Sequence, residues 1–182
     1  MDKIKQTSHR FRMLFQTIFY LTPVAVALFW LNFNTIYSLI PTINVSINEP
    51  ALTHALINGL PLSIRFLAFL VSLLPTAVFM LGVYYLIQLF RLYEQGKLFT
   101  LQNAKYFRKL GMTFFAWVII GFPYEALVSL IVSLHNAPGK HLISIGFGSP
   151  DITAIITGFL VLLLSWIMQE GYKLQEEHAY TV

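Results

Sequence analysis

Between Arg65 and Arg91 the chain carries no charged residue. The run from Phe66 to Phe90 is long enough to cross the hydrocarbon core of a bilayer, which takes about 20 apolar residues as an α-helix. Comparable runs span residues 13–31, 111–134 and 152–169. One such run could be a buried helix of a soluble domain. Four leave too little polar surface, because the 182 residues are 57% hydrophobic and 11% charged, where soluble domains carry about 25% charged residues. The expected fold is all-α, a four-transmembrane-helix bundle forming one membrane domain over residues 1–182. Pro75 predicts a kink in the second run, and Gly121 with Pro123 an interruption in the third. The basic head before residue 13 is not read as a secretory signal, since the following run is too long for an h-region and no A-x-A-like site follows it.

Lys and Arg fix the expected orientation, because loops on the cytoplasmic side collect them. Lys3, Lys5, Arg10 and Arg12 lie in the head, Arg91, Lys97, Lys105, Arg108 and Lys109 between the second and third runs, and Lys173 in the tail. Arg65 and Lys140 fall on the opposite side. Both termini, a loop over 91–110 and a tail over 170–182 are therefore expected in the cytoplasm. Trp30 and Trp166, near the ends of their runs, read as interfacial anchors. The basic residues flank apolar runs instead of forming one patch, so a net charge of +4 does not predict direct nucleic-acid binding.

On the outer side, "INVSIN" (43–48) alternates apolar and polar residues, and "HLISIGFG" (141–148) is also β-prone. Two such segments are compatible with a small extended outer cap. His54, His135 and His141 share that side with Glu49 and Asp151, but no spacing imposes a ligand geometry and no metal site is predicted. Cys is absent, which excludes disulfides and cysteine nucleophiles.

The stretch "GKLFTLQNAKYFRKLG" (96–111) stands out for its polarity. "RLYEQG" reads as a last helical turn followed by Gly96 as C′ residue. Thr100 reads as the N-cap of a new helix over Leu101 to Leu110, with one apolar and one basic side. Such a helix suits the headgroup plane before the chain turns into the third span, with Phe99 and Phe107 buried against the bundle or lipid and Lys105, Arg108 and Lys109 facing headgroups or cytosol.

This stretch resembles the cytoplasmic signature of the DUF2975 family of small bacterial membrane proteins, with Gly96, Phe99, Thr100, Asn103, Arg108 and Gly111 in the matching places. The closing "GYKLQEEHAYTV" is similar to that family's end, through Gly171, Leu174, Glu176, Glu177, Thr181 and Val182. Ala179 and Tyr180 depart from it, standing where an acid and an aliphatic residue are usual. The resemblance implies a multi-pass protein of a bacterial cytoplasmic membrane, without an established activity. It also implies relatives encoded beside small helix-turn-helix regulators.

Two sets of residues carry the functional expectations. Phe99, Thr100, Asn103, Lys105, Arg108 and Lys109, with Glu176 and Glu177 of the tail within ionic reach, form a surface for membrane lipids and a cytosolic protein partner or regulator. Glu125 is the one acid well inside a span, with Arg65 as its expected partner. The first set predicts a non-enzymatic regulatory or interaction protein. The second predicts, as the alternative, a small transporter or channel working as a homo-oligomer. No nucleophile elbow, P-loop or H-E-x-x-H motif occurs, so neither an enzyme nor a cofactor is expected.

Overall fold

The computed structural model describes residues 2–33, 35, 59–134 and 143–180. Among them every regular element is helical: α1 (Asp2–Leu31), α2 (Leu62–Glu94), α3 (Leu101–Ser133) and α4 (Ser149–Tyr180). Each is long and apolar enough to cross a membrane. The 33 residues of α2 or α3 extend about 50 Å, well beyond the roughly 30 Å of a hydrocarbon core.

The helices outrun the apolar runs that predict them, because backbone hydrogen bonding continues where hydrophobicity stops. α1 starts at Asp2, so the basic head is its first turns. α3 starts at Leu101, so the expected surface helix is the beginning of the third span, with no turn at Gly111. Pro75 and Pro123 both lie inside uninterrupted helices. Around Pro75 side-chain hydroxyls supply extra donors to the backbone: Ser72 Oγ to Ala68 O at 2.8 Å and Thr76 Oγ1 to Ser72 O at 2.6 Å.

Contacts divide the chain into two units. The first comprises Met1–Tyr20, Val78–Val118 and Gly148–Val182. Within it α1 packs antiparallel on α2 through Phe11 and Phe15, both stacked on Phe90. α4 packs antiparallel on α3 along the stripe Gly158, Leu162, Ser165, which recurs at helical spacing. A Cβ on Gly158 would come within 3.0 Å of the Phe115 ring, and one on Gly111 within 2.8 Å of Leu162. Glycine permits that approach, and Ser165 Oγ then reaches Ala104 O at 2.7 Å.

The second unit comprises Leu21–Ala77 and Ile119–Phe147. Its core holds Trp30, Phe33, Leu60, Ala68, Val128 and Val132. Trp30 is not an exposed interfacial anchor: it is 4% exposed and donates from Nε1 to Ser72 Oγ at 2.9 Å. Burial of the ring demands a partner for its N–H, and Ser72 provides it. Trp166, by contrast, is 62% exposed.

Residues 143–148 form no strand or helix. They run antiparallel beside α3: Ser144 N donates to Ser129 Oγ (2.9 Å), Gly146 N to Glu125 Oε2 (2.7 Å), and Phe147 stacks on Phe122. The three steps from Ser144 to Phe147 keep pace with about 10 Å of helix, the reach of an extended chain. The β-prone segment is thus satisfied by helix side chains. Its expected companion at 43–48, together with residue 142, lies outside the described residues, as do His54, His135 and His141.

Candidate functional site

The connector between α2 and α3 is built by three separate devices. Gly96 adopts a left-handed backbone (φ 75°). Its N–H donates to Tyr93 O at 3.0 Å and that of Lys97 to Leu92 O at 3.0 Å, the paired bonds of a Schellman stop. Thr100 caps α3: its Oγ1 accepts from Asn103 N at 3.3 Å. Asn103, fully buried, donates from Nδ2 to Lys97 O (2.6 Å) and Leu98 O (2.8 Å), satisfying two carbonyls at the tightest part of the turn. Asn103 Oδ1 has no hydrogen-bond partner among the described residues.

Around this scaffold Phe99 is 67% exposed and packs little against the protein, while Phe107 is half-buried. Lys97, Lys105, Arg108 and Lys109 are exposed. Lys109 Nζ sits 5.6 Å from the centre of the Tyr85 ring. A groove of about 570 Å³ opens between α2 and α3, lined by Tyr85, Gln102, Lys105, Tyr106, Arg108 and Lys109 and, further along, by the apolar Met112 and Ala116 with Thr113, whose hydroxyl donates to Leu110 O.

The expected bridge from the tail does not form among the described residues. α4 runs straight on to Tyr180, Glu170 pairs with Lys173 three residues on (3.2 Å), and exposed Glu176 joins none of the ion pairs. The backbone is helical through both acid positions, Glu176 and Glu177. The side chain of Glu177 lies outside the described residues, as do Thr181 and Val182.

Arg65 and Glu125 are also not joined, because each finds a backbone partner. Arg65 donates from an Nη to Leu31 O at 2.7 Å, and Glu125 receives the Gly146 amide. The Arg65 Nε is buried without a partner among the described residues. The groups that do pair are ones the charge pattern alone did not single out. Glu94 Oε1 accepts from Arg12 Nε at 2.9 Å and lies 3.0 Å from His9 Nδ1. The signal was available: Glu94 is the one acid between Glu49 and Glu125, set among cations.

Four helices able to cross a membrane, with polar chemistry gathered at a short connector, define a multi-pass membrane protein whose regular elements are all helical among the described residues. The chain belongs to the DUF2975 family, described as proteins of unknown function, whose profile matches residues 10–182. No curated protein and no solved structure matches it.

Proposed function

We propose that this is a non-enzymatic regulatory or interaction protein of the bacterial cytoplasmic membrane, presenting the α2–α3 connector and the α4 tail to a cytosolic protein. One observation carries the reading: Phe99 is 67% exposed on a connector whose backbone is otherwise held by Gly96, Thr100 and Asn103. A fixed loop displaying an aromatic ring loses little conformational entropy when that ring enters a partner's pocket. Exposed Lys97 beside it and exposed Glu176 on the tail supply charges of both signs, neither engaged in an ion pair among the described residues. Charges of that kind set orientation and encounter rate more than affinity.

The test is a photoreactive residue at position 99 in native membranes, with a second at Ile119 as control. The reading expects one discrete protein adduct at 99, absent at 119 and weakened in the Lys97→Gln/Glu176→Gln variant. Adducts to lipid alone at position 99 would show that the ring inserts into headgroups and has no protein partner.

A further inference from the structure

We propose that the groove between α2 and α3 is a binding site for a single anionic phospholipid, with its phosphate held by Lys105, Arg108 and Lys109 and one acyl chain lying along Met112 and Ala116. The groove has the lengthwise polarity of that molecule. Gln102, Lys105, Lys109, Met112 and Ala116 recur at three- and four-residue spacing on one face of α3, polar and basic at its start and apolar further on. From Lys109 to Ala116 the helix rises about 10 Å, which carries the face from headgroup depth into the acyl region.

The charge at the groove's mouth is uncompensated. Lys105, Arg108 and Lys109 enter no ion pair among the described residues, and no acid lines the groove. Three cations within little more than one turn repel one another, and a phosphate placed between them removes that cost. Lys109 is already drawn over Tyr85, and the Tyr85 and Tyr106 rings lie 6.4 Å apart on the groove wall. Their phenol hydroxyls are donors of the kind phosphate oxygens accept. A free phosphate would use the basic mouth alone and leave the apolar floor unexplained. The volume of about 570 Å³ accommodates a headgroup with the upper part of one chain.

This inference is independent of the docking reading, which rests on Lys97, Phe99 and Glu176. The full chain is reconstituted in phosphatidylcholine nanodiscs doped with phosphatidylglycerol, and retained lipid is counted by native mass spectrometry after release into mild detergent. One phosphatidylglycerol is expected to stay bound in preference to phosphatidylcholine by at least about tenfold. Lys105→Gln/Arg108→Gln/Lys109→Gln should abolish that preference. Met112→Trp keeps every charge and fills the floor, and should also weaken retention. Lys3→Gln/Lys5→Gln should leave it intact. Helicity by circular dichroism checks that each variant is folded. Equal retention of phosphatidylcholine, retention in the triple variant, or equal loss in the Lys3/Lys5 variant would overturn the site. So would displacement by inorganic phosphate with Met112→Trp unchanged, which would assign the mouth to a free anion.

Discussion

Arg12 Nε donates to Glu94 Oε1 across 2.9 Å, joining the first turns of α1 to the last turn of α2. Both side chains keep contact with their surroundings, 25% and 19% exposed. The pair therefore stands between a screened surface bridge and a buried one. A double-mutant cycle with Arg12→Met and Glu94→Gln, read by thermal unfolding in detergent, should return a coupling of about 1 kcal/mol. That coupling should shrink as salt is raised. Zero coupling would reduce the contact to coincidence, leaving the stacking of Phe11 and Phe15 on Phe90 to join the helices at this end.

Asn103 makes a sharper claim, because substitution by Asp keeps its shape. Its two N–H donors face the carbonyls of Lys97 and Leu98, and the residue is fully buried. Asn103→Ala leaves both carbonyls without that partner, a loss of about 2–4 kcal/mol. Asn103→Asp replaces donors with acceptors pointed at acceptors and should be the less stable of the two. Limited proteolysis of the connector should follow the same order. An Asp variant as stable as wild type would mean that water, and not the amide, satisfies the turn.

The close approach of α3 and α4 rests on glycine. Gly158→Ala would set a methyl group 3.0–3.1 Å from Phe114 and Phe115, and Gly111→Ala would set one 2.8 Å from Leu162 and 3.2 Å from Gly158 O. Each should destabilise by about 1–3 kcal/mol, through overpacking. Gly171→Ala meets nothing within 4 Å and serves as the control, expected to be neutral or slightly stabilising. Melting temperatures in one detergent rank the three.

These residues also mark where the sequence was readable and where it was not. The spans could be read because the bilayer sets a length, and a charge-free run such as Phe66–Phe90 has no other ready use. The connector could be read because Gly96 and Thr100 act through bonds a few residues away. Gly111 stands in the sequence only as the first residue of an apolar run. Its role depends on Leu162, a neighbour brought close only by folding. Trp30 was misread for the same reason, since its partner Ser72 lies 42 residues away. The expected surface helix and the third span are one helix, because charge density marks the membrane surface but does not end a helix. Leu101 to Leu110 contains neither proline nor glycine, so nothing there breaks the ladder.

Glu125 separates structure from transport. Its Oε2 accepts the Gly146 amide at 2.7 Å, and with Ser129 it holds the extended segment 143–148 beside α3. A glutamine carbonyl can accept the same bond, so Glu125→Gln should unfold within about 1 kcal/mol of wild type. Glu125→Ala removes the acceptor and should cost about 1–3 kcal/mol, with faster hydrogen exchange at the Gly146 amide. Were the carboxylate instead the proton- or ion-handling group of a transporter, the Gln variant would be the informative one. It would fold normally yet abolish flux in proteoliposomes where the wild type carries it, because an amide can neither titrate nor neutralise a cation. Normal folding of Glu125→Gln, no flux from either protein and exchange changes confined to Glu125→Ala would make Glu125 a strut for the segment it holds.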